Sequence, residues 1–329
     1  MSAEGGTKAV VAALGANLGI AVTKLFAFVL TGMSSMLAEA IHSFADSGNQ
    51  VLLLLGGKRA RREATPEHPF GFGRERYVYG FVVSIVLFSV GGLFALYEAY
   101  HKWHESHTGH GEPPGVHQAW WWVPMVVLLV AIGMESLSFR TAIRESNPLR
   151  GSASWVQFVR GAKAPELPVI LLEDFAALLG LVFALFGVLL AVLTENAMWD
   201  AIGTALIGLL LVTVAVVLAV EMKSLLIGES AAPTKVRAIR EAIEGSHGVD
   251  RIIHLKTLHL GPDELLVAAK IAVGDADRGA QIASTIDECE RRARAAVPDL
   301  RLVVYLEPDL DRAGCPPGAL PRREAGEVQ

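Results

Sequence analysis

Three ionisable residues recur at helical spacing inside one of the most apolar parts of the chain. Glu39, His42 and Asp46 are separated by three and four positions, so a helix places all three on one face. Charged groups are costly in hydrocarbon unless they face a protein interior, water or an ion. The spacing therefore indicates a buried polar site.

A second acidic pair interrupts a later apolar run, "VILLEDFAALLGL", at Glu173 and Asp174. One imidazole and several carboxylates from two helices form a ligand set that suits a divalent transition-metal ion. The pattern predicts a metal site from His42, Asp46, Glu173 and Asp174. Zn²⁺ is the favoured ion, with Mn²⁺, Fe²⁺ or Co²⁺ possible because oxygen ligands discriminate less than imidazoles. A hydrogen-bonded polar network or a proton relay is the alternative.

The elements that must position these residues are membrane helices. Hydrophobic residues make up 52% of the 329 residues and charged residues 19%, with a mean hydropathy of +0.41, which is typical of a protein in the lipid bilayer. A helix needs roughly 20 residues to cross the hydrocarbon core. Six transmembrane helices are predicted, at about 9–31, 34–57, 78–100, 119–140, 167–193 and 199–227.

The chain becomes polar after the sixth apolar segment. The pattern predicts helix, two strands, helix and strand, an αββαβ order typical of a small α+β domain. We expect a transport domain over 1–230, a cytoplasmic α+β domain over 231–310, and a disordered tail over 311–329 that is rich in proline and glycine.

Basic residues predict the orientation in the membrane. They concentrate between the second and third spans and between the fourth and fifth, so these loops and both termini should be cytoplasmic, in the inner or plasma membrane of the cell. The opposite side carries a long loop with His101, His104, His107, His110 and His117, read as solvated or weakly metal-binding. The net charge of −5 argues against nucleic acid, and the absence of an HExxH motif argues against an intramembrane enzyme.

These residues give the chain a clear family resemblance. The HxxxD spacing of His42 and Asp46, the "HPFGFGRERY" stretch before the third span and "LLEDFAALLGL" in the fifth resemble the cation diffusion facilitator family. The chain is most similar to the branch that includes the ninth animal zinc transporter. The resemblance implies divalent-metal efflux by antiport with protons, alternating access, and a homodimer. A metal-binding sensor or scaffold without transport is the alternative function.

The chain departs from the family pattern at several positions. The resemblance implies a ligand four residues before Asp174, where this chain has Ile170. Glu173 or Glu39 could complete the site instead, while Asn49 is expected to form a hydrogen bond between helices. In the α+β domain, His254 matches one expected ligand position, but Ala269 and Tyr305 occupy others. We therefore expect that domain to dimerise without a full metal site.

Overall fold

The computed structural model describes residues 3–31, 34–108 and 122–310. The chain divides into two compact units, Met1–Ile227 and Gly228–Gln329. The first unit is helical and the second is built on one sheet. The tail expected over 311–329 lies outside the described residues.

Long helices form most of the first unit. They are α1 (Ala3–Thr31), α2 (Ser34–Ala60), α3 (Glu75–Val86), α4 (Phe94–Thr108), α5 (Val123–Arg150), α7 (Glu166–Thr194) and α8 (Met198–Ile227). A π-helical segment, Leu87–Leu93, joins α3 to α4, so the three form one continuous element. A short helix, α6 (Trp155–Gly161), lies between α5 and α7 and was not predicted from the sequence.

The helical architecture agrees with the sequence prediction of six transmembrane helices. In the described part of the chain, five helical stretches are long and apolar enough to cross a membrane: Ala9–Phe26, Glu75–His107, Val123–Arg150, Glu166–Thr194 and Met198–Ile227. The sixth, α2, has 27 residues but carries more polar side chains, which include the expected metal ligands. The expected start of the fourth span at 119 lies outside the described residues.

The prediction that residues 101–107 belong to a loop is wrong. Helix α4 continues to Thr108, so His101, His104 and His107 are helical. Aromatic residues one turn earlier account for the extension, because i and i+4 side chains meet on a helix. The Tyr97 hydroxyl lies 3.0 Å from Nε2 of His101, and the ring of Tyr100 stacks on that of His104. His110 and His117 lie outside the described residues.

Packing brings α1, α2, α5 and α7 together. Helix α1 packs against α2, α5 and α7, and α5 also packs along α7. On the other side of α7, close contact with α8 depends on Gly187 and Gly203, because a Cβ at Gly203 would lie 3.0 Å from the carbonyl oxygen of Phe183. Small residues that let two backbones approach are typical of helix interfaces in membranes.

The second unit confirms the predicted αββαβ order. Helix α9 (Pro233–Glu244) precedes β1 (Arg251–Gly261) and β2 (Glu264–Val273), and α10 (Gly279–Ala296) precedes β3 (Arg301–Leu310). The sheet order is β1-β2-β3, with β1 and β2 antiparallel and β2 and β3 parallel. Ile239, Ile243 and Cys289 of the helices pack against Leu265, Ile271 and other sheet residues to form the core.

Candidate metal centre

One polar face of α2 lies against α1 and α7. Ser43, Asp46 and Asn49 follow one another at intervals of three, and Gln50 completes the face one helical turn after Asp46. Ser43, Asn49 and Gln50 are buried and Asp46 is half-buried. Asp46 therefore faces the interior of the bundle, as the sequence predicted for this face.

His42 and Glu39 also belong to α2. Their backbones place them one turn and two turns before Asp46. Their side chains lie outside the described part of the structure, so their place in the centre remains a prediction from helical spacing.

Two amides of α2 hold Glu173 of α7. The Asn49 side chain donates a 2.9 Å hydrogen bond to Oε1, and the Gln50 side chain donates a 2.6 Å hydrogen bond to Oε2. Only 5% of Glu173 is exposed. Hydrogen bonds to a carboxylate are stronger than those between neutral groups, so this pair fixes α2 against α7. Asn49 thus forms the bond between helices that the sequence suggested.

Asp174 faces a different helix from its neighbour Glu173. Its Oδ2 accepts a 2.8 Å hydrogen bond from the Ser138 hydroxyl on α5. Its Oδ1 is buried and receives no hydrogen bond from the described residues. Consecutive helix residues point about 100° apart, so the two acids of the "ED" pair contact α2 and α5 respectively.

The sequence analysis missed Glu135 of α5, which lies beside Asp174. Glu135 is almost completely buried, and its carboxyl group lies near that of Asp174. Glu135 is the single charged residue between Val123 and Phe139, so it shows the same signal that identified Asp46.

Lys24 of α1 is a second missed residue. It is 4% exposed, and its Nζ donates a 3.1 Å hydrogen bond to the Ser43 hydroxyl on α2. A lysine within an apolar span is costly unless it meets polar or acidic partners. Its position therefore brings a positive charge to the polar face of α2.

These side chains surround a cavity of about 70 Å³. Its polar lining comes from four helices and consists of Asn17, Lys24, Ser43, Asp46, Glu135 and Glu173. A single water needs roughly 10 to 15 Å³ of such space, so an ion with a few waters fits. Asp174 is not itself part of the lining. Ile170 is fully buried in the apolar core and offers no donor atom.

The described side chains alone do not assemble a group of three or more His, Cys, Asp or Glu with metal-site geometry. Within the described residues, the centre is thus a cavity lined by acidic side chains from three helices and by one lysine from a fourth.

The second unit has a different arrangement at the positions that the family resemblance singled out. His254 of β1 pairs with Lys270 of β2 across the ladder. The Lys270 ammonium forms ion pairs of 3.1 Å with Glu307 and 2.8 Å with Asp309 on β3. These hydrogen bonds raise the pKa of Lys270 above its ordinary value. Lys270 thus lies between His254 on β1 and the acids of β3. His259 is buried and its Nδ1 lies 3.2 Å from the carbonyl oxygen of Gly261.

Comparisons with known proteins agree with this organisation. A family model described as the cation efflux transmembrane domain matches residues 10–227. The proton-coupled zinc antiporter SLC30A9 of Xenopus laevis is 33% identical over 250 residues, which are 75% of this chain and 43% of that protein. The human protein of the same name is 30% identical over 251 residues, 75% of this chain and 42% of that protein. Both names include the word mitochondrial.

A plant relative shows more distant similarity. Metal tolerance protein C4 of Arabidopsis thaliana is 26% identical over 269 residues, which are 80% of this chain and 56% of that protein. The chain therefore spans about half the length, or less, of the curated relatives it matches. The expected resemblance to the branch of the ninth animal zinc transporter is confirmed by the SLC30A9 matches.

The matched domain covers the helical unit, and the family consists of transporters rather than enzymes, as the sequence analysis expected. This chain, a multi-pass membrane protein with an acidic cavity between its helices, belongs to the cation efflux family, the cation diffusion facilitators.

Proposed function

We propose that this protein exports a divalent metal cation, with Zn²⁺ as the favoured cargo, in exchange for protons. The observation that carries this proposal is the buried cavity in which carboxyl groups of Asp46, Glu135 and Glu173 converge from three helices. Such a concentration of acid inside a membrane protein is costly unless a cation compensates it. The names of the SLC30A9 relatives, which are proton-coupled zinc antiporters, support the same cargo and coupling.

We propose His42, Asp46 and Asp174 as ligands of the transported ion, with Glu173 as a further acid of the site. The α2 pair offers one nitrogen and one carboxylate at an i, i+4 spacing, which places both on one face of the helix. The Asp174 carboxyl group has an oxygen, Oδ1, that no described donor occupies. This ligand set combines one imidazole with carboxylates, which zinc accepts and which harder ions also tolerate.

Exchange with protons follows from the chemistry of these ligands. A histidine must be neutral and a carboxylate ionised to bind a metal, so metal binding releases protons and protonation releases metal. If the cavity opens alternately to the two sides, a cytoplasmic metal ion enters as protons leave, and protons from the opposite side expel the ion. The coupling then requires no group beyond the ligands themselves.

The basic loops support an arrangement with both termini on the cytoplasmic side of the cell inner or plasma membrane. The segment before α3 contains Arg61, Arg62 and Arg74, and the segment around α6 contains Arg150 and Arg160. In this orientation export carries metal away from the cytoplasm. We also propose a homodimer. Among the described residues, the three-stranded sheet of the second unit has two unpaired edges, and two-fold symmetry is the commonest form of oligomer that could cover one.

Reconstituted vesicles test this function. The full chain in proteoliposomes should accumulate Zn²⁺, reported by an internal fluorescent indicator, when the lumen is more acidic than the outside. H42A and D46N should lose that accumulation. E145Q, which removes a half-buried acid of α5 outside the cavity, should retain it.

Two outcomes would contradict the proposal. Wild-type rates in H42A or D46N would show that the cavity is not the transport site. Zinc binding without accumulation driven by the pH gradient would instead identify a sensor or scaffold.

A further inference from the structure

We infer that Glu135 of α5 supplies the fourth ligand of the transported metal ion. This inference rests on the proposed function and names the residue that replaces the donor missing at Ile170. Neither the HxxxD pair of α2 nor the acidic pair of α7 includes it. The ligands would then come from three helices, α2, α5 and α7.

The position of Glu135 carries the first step. The residue lies near the middle of α5, is 2% exposed, and lines the same cavity as Asp46 and Glu173. Glutamate is rarely buried in this way without a partner, and in a membrane helix it marks a functional site by default. Its position excludes a role as a solvated surface charge.

The proximity of Glu135 to Asp174 is the second observation that supports a ligand role. Glu135 and Ser138 are separated by three residues and face α7 together, and Ser138 donates its hydroxyl hydrogen to Oδ2 of Asp174. The other oxygen, Oδ1, receives no hydrogen bond from the described residues, although the Glu135 carboxyl group is adjacent. Two adjacent buried carboxylates repel each other unless a proton or a cation lies between them. In the proposed site, this pair holds a proton when the metal is absent and the metal ion when it is bound.

The other candidates for the fourth ligand, Glu173 and Ile170, are less able to bind an ion. Glu173 already accepts one amide hydrogen bond on each oxygen, from Asn49 and Gln50, so it must give up strong bonds to turn toward an ion. Ile170 has no donor atom. Glu173 therefore contributes negative charge from a fixed position, while Glu135 has a carboxyl group without such anchors among the described residues.

The balance of charge in the cavity also supports a bound cation at Glu135. Among the lining residues, Lys24 is the single basic side chain and faces three acids. When these acids ionise, one ammonium cannot balance three carboxylates, and Asp174 adds a fourth nearby. A divalent cation bound at Glu135 would neutralise part of the excess.

Zinc affinity of the full chain tests this inference. The protein in lipid nanodiscs is titrated with Zn²⁺ by calorimetry at one fixed pH, for the wild type, D46N, E135Q, E173Q and E39Q. E135Q should weaken the zinc Kd by at least about 10-fold, as loss of a direct ligand should cost no less than loss of a supporting residue. E173Q and E39Q should weaken the zinc Kd less than E135Q does, because these two residues are expected to support the site rather than to bind the ion directly. E145Q, on the same helix but outside the cavity, is the matched control and should bind as the wild type does.

A second variant separates a ligand from a purely structural acid. E135H replaces the carboxylate with an imidazole. The imidazole can bind zinc through a nitrogen atom but carries no negative charge. A ligand role predicts that E135H binds Zn²⁺ more tightly than E135Q does and prefers Zn²⁺ over Mn²⁺ more strongly than the wild type does. Circular dichroism and thermal unfolding verify that each variant is folded.

The failures are distinguishable. Wild-type zinc affinity in E135Q, or an E135H variant that binds no better than E135Q, would overturn the role of Glu135 while D46N still loses binding. The loss of affinity in E39Q or E173Q alone would assign the fourth ligand to that residue instead. If D46N also binds zinc normally, or if the wild type does not transport, the proposed function itself fails.

Discussion

Asn49 of α2 donates a 2.9 Å hydrogen bond to Oε1 of Glu173 on α7, a residue 124 positions further along the chain. This bond joins the two helices that carry the expected metal ligands. It also explains why Glu173 points toward α2 while Asp174 points toward α5. Removal of this hydrogen bond tests how much it contributes to the packing of α2 against α7.

Replacement of Asn49 by alanine should weaken both stability and transport. N49A leaves one buried oxygen of Glu173 without its donor, which costs roughly 1 to 3 kcal/mol for an unsatisfied buried acceptor. The thermal unfolding midpoint in detergent and the rate of zinc uptake into proteoliposomes should both fall. S47A is the control, because the Ser47 hydroxyl bonds only to the Ser43 carbonyl of its own helix in the described contacts. Equal losses in S47A would refute a special role for the link between α2 and α7.

A buried ion pair joins the beginnings of α3 and α7. The Arg76 Nε lies 3.2 Å from Oε1 of Glu166, with side chains 7% and 12% exposed. R76A should destabilise the protein by about 3 to 5 kcal/mol, because it leaves a buried carboxylate without its main counter-charge.

The double variant R76M/E166L checks that reason. It removes both charges at similar volume, so it should be less destabilised than R76A. Thermal unfolding midpoints of the two proteins measure the difference. A double variant as unstable as R76A would mean that the side chains matter for packing rather than for charge.

The ligand set of the cavity predicts the order of competing metals. One imidazole with several carboxylates is a harder site than one with two histidines, so ions other than zinc should compete measurably. In proteoliposomes, zinc uptake should be inhibited more strongly by Co²⁺ than by Mn²⁺, following the general order of divalent affinities. Uptake that Mn²⁺ blocks better than Co²⁺ would contradict a site that contains His42.

Dimerisation should survive removal of metal. In the second unit, the Lys270 ammonium forms ion pairs with both Glu307 and Asp309, so it holds these acids together without a bridging metal ion. The pKa of Lys270 is raised by those hydrogen bonds, so the ammonium persists at neutral pH and is lost on the basic side as the pH rises through the raised pKa. Chelator should leave the mass of the full chain in detergent unchanged, whereas truncation after Glu229 should weaken the dimer.

A dimer that dissociates on chelation would reverse this expectation. It would indicate a bridging metal site at His254 or His259, the two histidines of β1. H254A and H259A would then identify the ligand by abolishing the response to metal.

Local sequence determined the elements of this protein. Hydropathy over about 20 residues predicted the membrane helices, and for α7 and α8 the expected ends, 167–193 and 199–227, differ by one residue or less from Glu166–Thr194 and Met198–Ile227. Alternation and turn residues predicted the αββαβ order of the second unit. These features follow from neighbouring residues, since each helix or strand expresses its own apolar pattern.

The partners of the acidic residues depended on tertiary structure. Spacing within α2 could show that Asp46 and Asn49 share a face, but not that Asn49 binds Glu173 or that Ser138 binds Asp174. The same limit applies to Glu135, whose single carboxylate in an apolar run was visible in the sequence, while its contact with Asp174 required the packing of α5 on α7. Which side chains meet across helices depends on the rotation and crossing of whole helices, and no single stretch of sequence specifies these.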